Sequence, residues 1–516
     1  MAKIVFITLY DKGCLGVRYL SSVLKDAKHH TSIIYLGSHG GEVKKRNDTF
    51  FDEDLWVGVN EYGADLIRSY SEAISEEDIA ILLSLLEKEN PDIIGFSLRT
   101  MFLNTAAALT ERIRSRIKAK IIYGGIAATC EPKRCLDYAD MACMGDGEYS
   151  MLELANRFDK GLALDDINNI WVHNNGSLKM NPILPLQQNL DGIPFPDYEP
   201  EGKFSILKSQ LVKNDPSIGN MNRFTYEIMT SRGCSFSCSY CCNDVLRRLY
   251  SGQNFLRRRS VENVINELKL AKDKHNIKSV LFKDEIFTFD FDWVKEFSRR
   301  YKGEIGLPFW CYTHPSFANE EMLRVLKGAG MFSITMGIQS GSRDILYKVF
   351  NRPTPPEKIV EVAGILEKLN LPIKPRYDII TNNPFENESD RRKTLELLML
   401  LPKPVNFGLT KLSFIPGTRI SKALEDGPLA KKADSKTYEF WNSLYLLNQY
   451  KLFPNFLISF LSNRRLIKNN PGVLKLLLFP KFLEIKFQEA IDGIKRVLPT
   501  GTILFLKRLR QAVKGY

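Results

Sequence analysis

Thr230-Ser-Arg-Gly-Cys234-Ser-Phe-Ser-Cys238-Ser-Tyr-Cys241-Cys242 is the stretch on which the reading of this 516-residue chain turns. It follows a short strand candidate, Glu227 to Thr230, and similar runs come after it at Ser279 to Phe282, Pro308 to Tyr312, Ser333 to Met336, Ile373 to Ile379 and Phe407 to Ser413. Helical patterns lie between successive runs. Six βα units are too few for a closed eight-stranded barrel, so residues 223–419 are expected to form an open (β/α)6 partial TIM barrel. The cysteines then occupy the loop after the first strand, at the end where barrels place their chemistry.

The CxxxCxxC spacing limits what that loop can hold. Three thiolates can bind three irons of a four-iron, four-sulfur cluster and leave the fourth open, whereas electron carriers close all four corners. An open iron can bind and activate a ligand. The competing readings are a zinc site or buried thiols. A zinc knuckle normally adds a second CxxC or a His pair, and no histidine lies within thirty residues of the motif on either side. Cys242 is read as packing, because adjacent residues point apart and a fourth ligand would close the site.

Upstream, short β-branched runs alternate with helical patterns. Lys3 to Tyr10, Thr31 to Leu36, Asp92 to Leu98, Ala119 to Tyr123 and Asp140 to Gly147 read as strands, with an irregular stretch after Leu36. Ser75 opens a helix with Glu76, Glu77 and Asp78 in its first turn. This is the pattern of a doubly wound parallel sheet over residues 1–160, whose ligand sits at the C-terminal strand ends. Residues 161–222, where prolines accumulate, are expected to be a linker, and residues 420–516 a basic helical C-terminal region.

Composition narrows the class. With 44% apolar and 26% charged residues the chain is globular, not collagenous, mucin-like or wholly disordered. The net charge of +12 is concentrated in the last segment: from Ile420 on there are 17 Lys+Arg against 7 Asp+Glu. An anionic partner would therefore meet the tail. Nucleic acid is its weakest reading. Amphipathic helices capping the barrel, or an interfacial helix on anionic membrane lipid, fit the aromatic spacing better. No secretory signal or spanning apolar window is visible, and nine unevenly spaced cysteines suit a reducing compartment, so a cytoplasmic protein is expected.

The motif and its surroundings resemble the radical S-adenosylmethionine (radical SAM) enzymes. That resemblance makes Cys234, Cys238 and Cys241 the ligands of a 4Fe-4S cluster whose open iron binds S-adenosylmethionine, with Tyr240 at the aromatic position before the third. An electron from the reduced cluster then splits S-adenosylmethionine into methionine and a 5′-deoxyadenosyl radical. Lys283-Asp284-Glu285 ends the second strand where the family holds the methionine amine. Met336-Gly-Ile-Gln-Ser-Gly341 resembles its GIESG segment, with Gln339 in place of Glu and Ser340 beside it. Tyr377-Asp378 and Phe414-Ile-Pro-Gly417 resemble the segments of the fifth and sixth strands. Asp284, Glu285, Gln339, Ser340 and Asp378 are thus the expected S-adenosylmethionine contacts. His39, His173 and His314 stand alone, and only His314, after the third barrel strand, is a candidate for the site.

The first domain resembles the cobalamin-binding domain found in one branch of that superfamily. Asp11-Lys-Gly13-Cys-Leu-Gly16 matches its DxHxxG loop except that Gly13 stands where the cobalt-ligating histidine would be. The lower cobalt face is therefore expected to lack a histidine. Ser97, Gly124, Gly125 and the Gly145-Asp-Gly147-Glu148 turn complete the resemblance, so that Asp11, Gly16, Ser97, Gly124, Gly125, Gly145 and Glu148 are the expected cobalamin contacts. The implied enzyme methylates an unactivated carbon or phosphorus centre of a small-molecule, lipid or peptide substrate, drawing electrons from a donor such as flavodoxin or ferredoxin. A cobalamin-binding radical cyclase or rearrangement enzyme is the alternative, and a non-catalytic iron–sulfur or zinc protein the reading from a different class.

Overall fold

The computed structural model describes residues 1–37, 74–174, 177–215, 225–426, 435–451, 453–469, 471 and 474, together with 55–59 and 65–69; at 55–59, 65–69, 174, 426, 465 and 466 it describes the backbone alone. His39 and the chain beyond 474 lie outside the described residues.

The first domain is built on a nine-stranded sheet. Its parallel centre runs Lys203–Leu207, His30–Leu36, Lys3–Leu9, Ile93–Ser97, Lys120–Gly124 and Met141–Cys143 in spatial order. Lys3–Leu9 is buried from Ile4 onward, as expected of a strand covered by helices on both faces. The chain winds outward in opposite directions on either side of this strand and Ile93–Ser97, so the loops after these two strands flank a topological switch point. Helix Glu76–Glu89 begins where expected, with a reciprocal capping box between Ser75 and Asp78.

The stretch expected to be a linker departs from that reading. Ile170–Asn174 and Ser177–Lys179 extend one edge of the sheet antiparallel, while Lys203–Leu207 and Gln210–Val212 extend the other. These strands are three to five residues long, too short to register as periodicity. The irregular stretch also contains a hairpin, Leu55–Val59 with Asp65–Ser69, whose first strand pairs antiparallel with the barrel strand Asn406–Lys411.

The barrel has the six expected strands in sequence order: Thr225–Ile228, Ser279–Phe282, Phe309–Thr313, Met331–Gln339, Arg376–Thr381 and Asn406–Lys411, every neighbouring pair parallel. Phe282, Phe287, Phe297, Tyr301 and Phe309 fill the space between strands and helices with edge-on and tilted ring contacts 4.6–6.4 Å apart. Among the described C-terminal residues the elements are helical, and Phe440, Trp441 and Leu444 of helix Ser435–Leu447 belong to the barrel core.

Candidate functional site

The cysteine loop is held at its base before the first cysteine. Ser231–Arg232 pairs antiparallel with Arg257–Arg258. Gly233 then turns the chain at φ +89°, where a Cβ would lie 2.2 Å from the Phe255 carbonyl oxygen, so only glycine fits. Asp284, 1% exposed, accepts hydrogen bonds from Thr230 N and Oγ1 (3.1 and 2.7 Å) and from Ser231 Oγ. Its oxygens, expected at the methionine amine, anchor the base of the loop. Glu285 beside it is exposed into an internal cavity yet walled by protein, so burial raises its pKa, opposed by a hydrogen bond from Asn243.

Each sulfur has a donor. Phe236 N points to Cys234 Sγ at 3.5 Å, Arg352 Nη1 to Cys238 Sγ at 3.8 Å, and Asn243 Nδ2 to Cys241 Sγ at 3.7 Å. Such donors orient and stabilise cluster thiolates. Cys238 is buried, and burial pushes the Cys234 thiol up to about 12, so iron binding has to drive deprotonation. Among the described residues no three His, Cys, Asp or Glu side chains gather as a single ion would need; the cysteines are arrayed along one loop. Tyr240 packs edge-on against Phe350 at 4.8 Å, and Phe236 stacks on the fully buried His314 at 4.0 Å. His314 receives Ser316 N on Nδ1 and meets Thr354 Oγ1 at Nε2, so it supports the loop from behind.

The expected S-adenosylmethionine residues divide. Gln339 has φ +70°, in the left-handed region, and its amide lies over Gly337, where a Cβ would come within 2.5 Å of Nε2. The Arg352 guanidinium that reaches Cys238 also donates to the Gly337 carbonyl at 2.8 Å, which brings Gln339 beside the cluster loop. Ser340 is fully buried and faces Glu386 and Thr394, so it holds the turn rather than lining the site. Asp378 pairs with Arg376 at 2.8 Å. These two half-buried residues alternate with buried Tyr377 and Ile379 and point into the barrel, toward Tyr312, Lys283 and Glu227.

A cavity of about 290 Å³ lies between the domains. Gly16, Ser97, Gly124, Gly125, Gly145 and Glu148 line it from the first domain, and Ser231, Arg232, Asn243, Lys283 and Glu285 from the barrel. Six of the seven expected cobalamin residues therefore converge. The seventh, Asp11, instead accepts from Gly13 N and Cys14 N at 3.1 and 3.0 Å and shapes the loop. Gly16 has nothing within 4 Å of a Cβ and Gly124 only the Phe96 carbonyl oxygen at 3.8 Å, while Gly125, at φ +80°, lets the turn pack on the Leu98 backbone, 2.8 Å from where a Cβ would lie. This Cβ-free cradle at the switch point fits a narrow arm of a bulky cofactor. At Gly13 a Cβ would lie 2.3 Å from Glu227 Oε2, so the barrel carboxylate fills the direction a histidine would take.

What the sequence reading missed is the fastening between domains. Arg232, inside the cysteine loop, donates to Glu148 Oε1 at 2.6 Å and to Asp146 Oδ2 at 3.3 Å, and Arg257 reaches the same Asp146 oxygen at 3.0 Å. Against the opposing effect of burial, the two arginines hold the Asp146 carboxyl below its ordinary range. Tyr250 accepts from Asp146 N at 2.9 Å. Glu148, expected at cobalamin, lines the cavity and also pairs with the cysteine loop. The only signal for this was complementary charge in two loops, TSRGC and GDGE, both placed at strand ends.

Comparison with known proteins agrees with this architecture. The family model described as B12 binding domain matches residues 8–155, and that described as Radical SAM superfamily matches residues 228–398. An uncharacterized methyltransferase of Pyrococcus horikoshii is 28% identical over 306 residues, covering 58% of this chain and 62% of the relative. The cytidylyl-2-hydroxyethylphosphonate methyltransferase of Streptomyces wedmorensis is 26% identical over 369 residues, covering 66% of this chain and 63% of the relative. The chain thus spans under two thirds of these relatives' length. Among solved structures, the radical S-adenosylmethionine methyltransferase TsrM of Kitasatospora setae, with tryptophan and a S-adenosylmethionine analogue bound, superposes with a TM-score of 0.60 at 16% identity, covering 81% of this chain and 74% of TsrM. The cobalamin-dependent S-adenosylmethionine radical enzyme OxsB gives 0.58 at 18% identity, covering 84% and 56%. These likenesses establish a shared fold.

Proposed function

Because this chain joins a B12-binding domain to a radical SAM domain, we propose that it is a cobalamin-dependent radical SAM methyltransferase acting on an unactivated carbon or phosphorus centre of a small molecule. The observation that carries the reading is the single cavity lined from one side by the glycine cradle and from the other by Glu285 and Asn243 at the cysteine loop. Neither domain encloses it alone. When bound, the cluster supplies the electron that cleaves S-adenosylmethionine and cobalamin supplies the methyl group.

The chain's own residues orient these groups and keep water out. Cys234, Cys238 and Cys241 would hold the cluster, while Arg352 and Asn243 donate to the Cys238 and Cys241 sulfurs. Glu285 and Gln339 are the residues we assign to S-adenosylmethionine, and Gly16, Ser97, Gly124, Gly125 and Gly145 those we assign to cobalamin. Asp284 and Glu148 position the cysteine loop from either side. The substrate would enter the barrel interior, where the Lys283–Glu227 and Arg376–Asp378 pairs and Tyr312 present charge of both signs. That lining suits a polar, ionised molecule, in keeping with the phosphonate named for the Streptomyces relative.

An electron donor such as flavodoxin or ferredoxin would approach where the cysteine loop meets the surface. There Arg248 and Arg419, 47% and 46% exposed, share the buried Asp244 carboxylate at 3.2 and 2.9 Å and bond to Gly417 O and Ser237 O, which leaves one net positive charge at the rim to meet an acidic carrier. All nine cysteines are free thiols, which supports a reducing cytoplasm.

The test is product analysis of the reconstituted, cobalamin-loaded protein under reducing conditions. S-adenosylhomocysteine, in amounts set by the bound cobalamin, is expected beside 5′-deoxyadenosine. Production of 5′-deoxyadenosine alone would keep the radical enzyme and remove methyl transfer.

A further inference from the structure

Helix Asn455–Ser462 is amphipathic in an unusual sense. Ile458 and Leu461 face the barrel core, as expected, but the outward face carries Phe456 and Phe460, 76% and 50% exposed and one turn apart. Asn455 Nδ2 donates to Met399 O at 2.8 Å, which sets this face beside Leu400, itself 66% exposed. Three large apolar side chains in one patch are a cost that a purely solvated surface avoids.

Cations outnumber anions around the patch. Arg464 lies over the Phe460 ring at 3.9 Å, Lys403 caps the Phe453 carbonyl, and Lys451 and Lys468 flank the helix, against Glu388, which pairs with Lys468, and exposed Glu396 one turn before Leu400. From Phe440 to Leu483 the sequence has six basic residues and no acidic one. Aromatic side chains ringed by Lys and Arg complement a surface that is apolar beneath and anionic at its headgroups. A second protein would supply the apolar contact without requiring this excess of positive charge.

We propose that the face formed by Leu400, Phe456 and Phe460 docks this protein on an anionic lipid surface. The patch lies where helix Glu388–Leu400 ends and the chain enters the sixth barrel strand at Asn406. That is the opposite end of the barrel from the cysteine loop. Docking there leaves the mouth facing away from the bilayer, so lipid is where the enzyme works and not what it modifies. Among the described residues no helix is long and apolar enough to cross a membrane, and peripheral contact needs none.

The experiment is flotation of the full-length, cofactor-loaded protein with vesicles of phosphatidylcholine alone or with one part in about four of phosphatidylglycerol. Binding to the anionic vesicles should exceed that to the neutral ones by about tenfold or more and fall with added salt. The double variant Phe456→Ser, Phe460→Ser should lose that binding while keeping wild-type melting and cofactor content. Negligible binding to both vesicles would overturn the proposal. Undiminished binding by the variant would overturn it too. So would concentration-dependent dimerisation that the same variant abolishes, since the occupant would then be a second copy.

Discussion

Replacing Arg232 with Met should separate the two domains before it unfolds either. The Arg232 side chain is 14% exposed and its Glu148 partner 6%. Removing the guanidinium leaves a buried carboxylate unpaired, a change that costs about 3–5 kcal/mol. Asp146 adds little to this loss, because Arg257 still reaches it at 3.0 Å. A protein with two cores does not unfold in one step, so the readout is local: hydrogen exchange at the 145–148 turn and at 231–233, with denaturant melts followed on the same samples. Adding Glu148→Gln should recover roughly half the loss or more, since an unpaired amide is cheaper to bury than an unpaired carboxylate. A single-variant cost under about 1 kcal/mol, or losses that simply add in the double variant, would refute the reasoning.

Gly13→His, combined with Glu227→Ala to clear the oxygen 2.3 Å from the new Cβ, should introduce nitrogen splitting into the cob(II)alamin paramagnetic spectrum; an unchanged spectrum would mean the loop does not face the cobalt. Asp284→Asn should lower iron content more than S-adenosylmethionine affinity, because it loosens the anchor of Thr230 and Ser231, and iron analysis with a binding titration decides between the two. Burial holds the Glu386 carboxyl up at about 8, against roughly 4.3 in an unfolded chain. Between those values the folded state keeps a proton that the unfolded state has lost, so stability falls as pH rises through this window. Glu386→Gln should remove that fall, and melting curves from pH 5 to 9 that stay parallel would contradict it.

The parts of this protein that were legible in sequence are those whose signal is local. Six barrel strands declared themselves by short apolar runs, and Cys234, Cys238 and Cys241 by spacing. Gly124 and Gly125 stood out as a glycine pair at a strand end, and Gly16 and Gly145 by their places in the Asp11–Gly16 loop and the Gly145–Glu148 turn. The rest depends on what the chain brings together across long separations. Asp284 reads as a free carboxylate until Thr230 and Ser231, more than fifty residues earlier, turn their donors onto it. Glu148 lines the cavity, and its pairing with Arg232 from the other domain is not legible in either loop alone. Strands such as Ser177–Lys179 are too short to show a period, and the prolines between them suggested a linker.

The central claim is that one chain holds a site-differentiated cluster and cobalamin across a shared cavity. Its most direct test is a cobalamin titration of the anaerobically reconstituted protein, followed by paramagnetic resonance together with iron and sulfide analysis. The account predicts four irons and one tightly held cobalamin per chain, with cob(II)alamin lines free of axial nitrogen splitting. A protein that assembles the cluster but retains no cobalamin, or one whose cobalt carries a nitrogen ligand, would contradict it.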